Sequence, residues 1–132
     1  MSQEATNQDG PEITLPGLGD LSSEQFTIMT IDTNGRVKQA DDADDAAEPM
    51  LGVLQNKPAA TDREAVVRIS GVAKVVFGAT LSEGTWVTCD STGEAVASVA
   101  NDNSIGFTID AGADGEIGRI VIAQTDGYVA PT

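Results

Sequence analysis

The sequence predicts an all-β fold: a small barrel or sandwich of about eight short strands, preceded by an extended N-terminal arm. Two observations carry this prediction. From Gln25 onward, short runs of β-branched and apolar residues alternate with turns built on Gly, Asn, Asp and Pro. The length of 132 residues fits one domain of this kind with flexible ends.

Residues 1–24 are predicted to form the arm rather than part of the strand-rich domain. Residues 1–10 are polar, and two prolines and two glycines between residues 11 and 19 argue against a regular element. Polar composition alone is typical of a disordered tail. The segment also carries spaced apolar side chains, which favour an arm that becomes ordered on a partner. These side chains are Ile13, Leu15, Leu18 and Leu21.

The strand-rich domain is predicted to span residues 25–124, with residues 125–132 as a C-terminal tail. Its first hairpin joins residues 25–32 to a short return strand at Val37, because Asn34-Gly35 is a strong hairpin-turn signal. The strands predicted after it span residues 51–55, 64–69, 72–77, 85–90, 94–98, 104–110 and 116–124. The strands at 64–69 and 72–77 are expected to pair with each other around Ser70-Gly71.

Several predicted strands carry apolar residues on both faces. In the last strand, Ile120 and Ile122 alternate with Ile117, Val121 and Ala123. A sheet with one solvated face would be polar on that side. The pattern therefore predicts either a closed barrel or a second face covered by neighbouring subunits, and it favours oligomerisation.

The charge balance excludes two classes of partner. Lys and Arg total 7 against 21 Asp and Glu, a formal net charge of −14. Such a chain repels phosphate backbones and anionic membrane surfaces, so neither nucleic acid nor membrane is an expected partner. The sequence holds no apolar run long enough for a membrane-spanning helix, and residues 1–6 lack the basic start of a signal peptide. We therefore expect synthesis in the cytoplasm.

The inventory of reactive side chains is equally restrictive. The chain has no histidine, which removes the usual general base at neutral pH and the commonest metal ligand. The single cysteine, Cys89, shares a strand face with Val87 and is expected to be a buried structural thiol. Carboxylate pairs could serve a glycosidase, but one Trp, one Tyr and three Phe are too few for a convincing sugar cleft. No catalytic residue and no cofactor is predicted.

Two acidic segments invite a calcium-site interpretation. Residues 41–48 hold four aspartates and one glutamate, and a solvated acidic loop or a single helical turn is favoured over a cation site. Residues 110–115 resemble the start of a calcium-binding loop, but Gly112 and Val121 stand where ligands belong. A Gly-rich hairpin connection explains the second segment, so no metal is predicted.

Trp86 has two interpretations. Strand alternation places it on the face opposite Val87 and Cys89. It could be a partly buried side chain covering the end of the barrel. Alternatively it is an interface anchor, since tryptophan is enriched in binding hot spots. Trp86 is therefore grouped with Ile13, Leu15, Leu18 and Leu21 as a candidate contact residue.

The order of these segments resembles the small capsid decoration (cement) proteins of tailed bacteriophages. The resemblance covers residues 26–123 and excludes the arm and the acidic loop. Taken singly the matching segments are generic, and their consistent order carries the resemblance. They are residues 26–37, 49–56, 65–75, 81–87, 90–95, 104–108 and 115–122.

This resemblance implies an all-β protein on the outer surface of the virion, usually a homotrimer at three-fold or quasi-three-fold positions of the shell. It would add after shell expansion and bridge neighbouring major capsid proteins against internal DNA pressure. The family offers no catalytic residues to carry over, and the five candidate contact residues would then touch the capsid or a neighbouring subunit. Two alternatives stay open: an extracellular β-module binding glycan or calcium, and a carboxylate-based hydrolase.

Overall fold

The computed structural model describes residues 10–41, 49–99 and 102–125. Within these residues the chain forms ten strands and no helix, arranged as two five-stranded antiparallel sheets. The predicted all-β class is confirmed. The expectations for residues 1–9 of the arm, for residues 42–48 of the acidic loop and for the tail after residue 125 lie outside the described residues.

The chain builds one sheet after the other. The first sheet has the order β1-β5-β4-β2-β3 and comprises β1 (Glu12–Pro16), β2 (Ile28–Ile31), β3 (Val37–Gln39), β4 (Gly52–Leu54) and β5 (Glu64–Arg68). The second has the order β6-β10-β9-β7-β8 and comprises β6 (Gly71–Val76), β7 (Trp86–Cys89), β8 (Ala95–Ala97), β9 (Ser104–Thr108) and β10 (Ile117–Thr125). We call these two consecutive segments the first and second halves.

The two halves have the same topology, because adding five to each strand number of the first sheet gives the second. The strand registers also correspond. In the first sheet, one row of directly paired residues runs Ile28–Val53–Arg68–Glu12. The same row in the second sheet runs Trp86–Phe107–Val121–Val72. The chain is therefore an internal duplication of one five-stranded unit.

Backbone conformation supports the duplication. Asp62 and Gly115, which precede β5 and β10 by the same interval, have φ of 69° and 89°. Phe26 and Gly84, before β2 and β7, have φ of 67° and 75°. Left-handed φ is uncommon for non-glycine residues, so its recurrence at equivalent places indicates that both halves follow one backbone path.

Each sheet curves until its outer strands meet. An isolated parallel bridge joins Gly17, just after β1, to Val37 in β3. The equivalent bridge in the second half joins Phe77, just after β6, to Ala95 in β8. Each sheet therefore has an inner face, which lines its own interior, and an outer face.

Two hydrophobic cores account for the apolar residues on both faces of the first sheet. In β2, Met29 packs into the core inside the first half, whereas its neighbour Ile28 joins the core of the second half. In β4, Leu54 packs into the core of the first half and its neighbour Val53 joins the core of the second half. All four side chains are fully buried. The second face of this sheet is thus covered by the other half of the same chain, without a neighbouring subunit.

Two sequence expectations were wrong. Residues 12–16, placed in an arm without regular structure, form the edge strand β1, paired with β5 from Glu12↔Arg68 to Pro16↔Glu64. Alternation explains this strand, since Ile13 and Leu15 turn toward the core while Thr14 faces solvent. The strands β5 and β6 do not pair around Ser70-Gly71; this turn passes the chain from the first sheet to the second.

Candidate interaction surface

The candidate functional site is the outer face of the second sheet. Three cross-strand rows of side chains lie on it. The outer row is Trp86–Phe107–Val121–Val72, the middle row contains Arg119 and Lys74, and the last row contains Ile117 and Val76. Directly paired side chains on one face lie within contact distance, so the rows form one continuous surface.

The outer and last rows of this surface are apolar and partly accessible, in contrast to the inner face of the same sheet. Alternating residues such as Val75, Val87 and Ile120 on the inner face are fully buried. On the outer face, Trp86, Phe107 and Val121 are only partly buried, and Ile117 is 54% exposed. Apolar side chains grouped on one accessible face mark a site of protein–protein contact more often than a scattered exposed residue does.

An aromatic pair lies at one end of the outer row. The rings of Trp86 and Phe107 are 5.3 Å apart between centroids and meet edge to face at 62°. Aromatic pairs of this geometry contribute about 0.5–1.5 kcal/mol beyond the area they bury. The pair therefore holds two large apolar side chains in fixed positions at the surface, which suits a binding anchor.

The middle row brings positive charge to an otherwise acidic molecule. Lys74 and Arg119 are paired across β6 and β10, so two of the chain's 7 cations lie side by side here. The Arg119 guanidinium is held by Asp110, with Nε–Oδ2 and Nη2–Oδ1 distances of 2.9 Å. These hydrogen bonds lower the pKa of the Asp110 carboxyl. Asp110 compensates the charge of Arg119, so the face combines apolar side chains with the cation Lys74, which suits a partner that carries carboxylates.

A groove of about 230 Å³ runs along the border between the two halves, beside this face. Phe26, Gln55 and Arg68 line it from the first half, and Val72, Lys74 and Arg119 from the second. Arg68 ties the border together, because its Nη1 donates to the carbonyl of Val72 at 2.9 Å while its Nη2 pairs with Glu12. Its Nε is buried and makes no hydrogen bond to any described residue.

The five candidate contact residues differ in burial: three pack in or against the core of the first half, and two lie at the surface. Leu21 is 5% exposed and belongs to the core of the first half, and Ile13 and Leu15 pack against that core. Leu18 is 40% exposed, and Trp86 lies on the outer face of the second sheet. These two side chains belong to different halves of the chain. Their role as contact residues stays a prediction.

Sequence reasoning missed most of the surface, because it missed the duplication. One signal was available: Thr27 to Gly35 and Thr85 to Gly93 share the pattern Thr-x-x-Thr-x-Asp-x-x-Gly. Aligning these segments would have paired Trp86 with Ile28. The loops between the other strands differ in length between the halves, which hides the repeat from a single-period search.

The remaining sites predicted from sequence are also placed. Cys89 is 3% exposed and lies in the same core as Val87, as expected. Residues 111–115 form the connection between β9 and β10. Among the described residues, no group of three His, Cys, Asp or Glu side chains could hold a metal ion. None of these residues forms a helix long and apolar enough to cross a membrane.

Comparison with known proteins assigns the family. The sequence model of the phage cement protein family matches residues 8–124, which include the ten described strands apart from the last residue of β10. The chain therefore belongs to the phage cement protein family and is a phage capsid-associated structural protein. Comparison with curated protein sequences finds no match.

A solved structure with a similar fold is the N base of the head fiber gp8.5 of bacteriophage phi29. The similarity has a TM-score of 0.70 and covers 88% of this chain and 98% of that one. The two sequences are 11% identical. At that identity the match establishes a shared fold, and the paired residues carry no functional correspondence.

Proposed function

We propose that this protein is a non-enzymatic cement protein that binds the outer surface of the expanded phage head as a homotrimer. There it bridges neighbouring major capsid proteins and stabilises the shell against internal pressure. The observation that carries this proposal is the family match across residues 8–124, which spans both halves of the described fold.

The surface properties support this role. The outer face of the second sheet offers an apolar area with a fixed aromatic pair, which is the composition of a protein-binding surface rather than of a substrate cavity. The net charge of −14 keeps the remaining surface from holding DNA. An acidic protein with a local apolar face suits a position on the outside of a shell that encloses DNA.

Binding to heads tests the first part of the proposal. Purified protein would be mixed with expanded, DNA-free heads of the phage that encodes it, and the particles imaged by electron cryo-microscopy. We expect additional density at fixed lattice positions, with three copies around each local three-fold axis. Expanded heads without added density at a saturating protein concentration would contradict the proposal.

Stabilisation tests the second part. Filled heads with and without the protein would be heated while DNA release is followed with an intercalating dye. Ligand binding to the intact shell shifts the release temperature upward, by an amount that grows with free protein until the sites are full. Bovine serum albumin at equal concentration controls for non-specific crowding. Binding without any rise in release temperature would remove the cement role and leave only decoration.

A further inference from the structure

The outer row of the second sheet is the duplicate of a row that is already an interface. In the first half this row is Ile28–Val53–Arg68–Glu12. Ile28 and Val53 are fully buried, and both join the core of the second half. Within the chain, the outer row of the first half therefore packs against the second half.

The corresponding row of the second half does not contact a further five-stranded unit among the described residues. Its residues Trp86 and Phe107, at the positions of Ile28 and Val53, remain partly exposed. The row is also more apolar than its counterpart. Val121 and Val72 replace the Arg68–Glu12 ion pair, and the two aromatic rings replace smaller aliphatic side chains.

We propose that this outer row, Trp86–Phe107–Val121–Val72, binds the first half of a second copy of the chain. The contact would repeat the one that holds the two halves together. This inference rests on the proposed function for the trimer that it would build, but it names a surface and a mode of contact that the family does not specify. Because the two contacting surfaces differ, the contact is heterologous and cannot build a two-fold dimer. Such a contact forms a ring where its rotation closes and an open filament where it does not. The trimer of the proposed function requires the ring.

The first half displays the surface that this contact requires. Within the chain, the β7–β8 turn of the second half contacts the first half. The Gly93 carbonyl in this turn accepts a hydrogen bond from the Ile28 N–H at 2.7 Å. The equivalent β2–β3 turn exposes Thr33 and Asn34. Leu18, 40% exposed, lies beside this turn because its N–H donates to the Val37 carbonyl at 2.8 Å.

The contact between two copies must differ in one hydrogen bond from the contact between the two halves. Within the chain, the Val76 N–H donates to the Phe26 carbonyl at 2.8 Å. Pro16 holds the position of Val76 in the first half, and proline has no N–H to donate. A contact between copies therefore lacks this hydrogen bond and depends more on apolar burial, which agrees with the larger side chains at positions 86 and 107.

The test measures self-association of the full chain in the absence of heads, by sedimentation at a salt concentration that screens the charge of −14. We expect the wild-type chain to associate, and Phe107→Asp and Leu18→Asp each to weaken the association by about tenfold or more. Each variant retains one intact surface, so a mixture of the two should form one-to-one dimers that grow no further. Neither variant alone should do so.

Ala111→Glu is the control. Ala111 is exposed in the connection between β9 and β10, outside the three rows of the surface, and the substitution also adds one negative charge. This variant should associate as the wild type does. Should Phe107→Asp fail to fold, Phe107→Ala replaces it, since this truncation removes contact area without placing a charge on the sheet.

Three results would overturn the inference: a wild-type chain that stays monomeric at every concentration, an Ala111→Glu variant as defective as Phe107→Asp, or a mixture that forms no dimers. Head binding is measured separately. A monomeric chain that still binds heads through Trp86 would assign the row to the capsid protein and leave the proposed function standing. A chain that self-associates into rings but does not bind heads would support the contact between copies and contradict the proposed function.

Discussion

Asp32 and Asp90 make the same turn in the two halves. Asp32 Oδ1 accepts from the backbone N–H groups of Asn34 and Arg36, both at 2.8 Å. Asp90 Oδ1 accepts from Thr92 and Glu94 at 2.8 and 3.0 Å. Side chains that hydrogen-bond the backbone two residues on favour tight turns. Each aspartate therefore fixes the register of a hairpin, and with it the position of one contact surface.

Replacing either aspartate with alanine should lower the midpoint of thermal unfolding by a few degrees, because two backbone donors lose their acceptor. The two effects should add, since the turns belong to different halves. Glu83→Ala, an exposed carboxylate outside the turns, is the control and should leave the midpoint unchanged. A stability of Asp90→Ala equal to that of the control would show that the side chain does not maintain its turn.

Gly52 and Gly106 allow a second prediction from the duplication. A Cβ on Gly52 would lie 2.1 Å from the Arg68 carbonyl oxygen, and one on Gly106 would lie 1.9 Å from that of Val121. The obstructing atoms are backbone, so neither site relaxes cheaply. Gly52→Ala and Gly106→Ala should each cost about 3 kcal/mol or more in unfolding free energy, measured by denaturant titration.

Gly115→Ala is the informative comparison. A Cβ there meets no atom within 4 Å, so only its φ of 89° opposes the substitution. We expect a cost of about 1 kcal/mol, from the left-handed backbone alone. Equal costs at positions 106 and 115 would contradict the close approach of β9 to β10.

Much of this fold could be predicted from sequence, and the failures have specific causes. Strand alternation and the Asn34-Gly35 turn located nine of the ten strands. β1 was missed because Pro11, Pro16 and Gly17 surround its two inward-facing side chains. Edge strands tolerate such residues, since one side of the strand needs no ladder partner.

The site was harder to predict than the strands. Apolar residues on both faces of a strand indicated a covered second face, but not what covers it. For Ile28 in β2 and Val53 in β4 the cover is the other half of the chain, whereas Trp86 in β7 and Phe107 in β9 stay partly accessible. Strand periodicity is the same in both cases. Only the strand order, which depends on contacts between residues distant in sequence, separates them.

Glu94 and Asp110 should give opposite pH dependence. Burial, and then the nearby Asp90 carboxylate, raise the pKa of Glu94. Its ionised form is thus disfavoured in the folded state, and its contribution to stability is lost as pH rises through the folded pKa. Glu94→Gln should therefore be more stable than the wild type at neutral pH, and this advantage should vanish below the ordinary glutamate pKa of about 4.3.

Asp110 has the reverse sign, because the Arg119 guanidinium lowers its pKa. Its contribution is present above the ordinary aspartate pKa of about 3.9 and is lost as pH falls. Asp110→Asn should lower the unfolding midpoint at pH 7 and match the wild type in strong acid. Thermal unfolding across this pH range checks both variants, and parallel curves for Glu94→Gln and the wild type would contradict the first.

Truncation separates the strand β1 from the residues before it. A chain that starts at residue 10 keeps every described contact and should unfold as the full chain does. A chain that starts at Leu21 loses five ladder pairs with β5, the half-buried Ile13 and Leu15, and the Glu12 partner of Arg68. We expect the second truncation to cost on the order of 3 kcal/mol, because it exposes the core of the first half and leaves a buried charge unpaired. Equal stability of the two truncations would show that β1 is dispensable to the fold.

If the two truncations differ in stability as expected, head binding can be interpreted. A loss of head binding after removal of residues 1–9 can then be assigned to those residues. The same loss after removal of residues 1–20 cannot, because the fold has also changed.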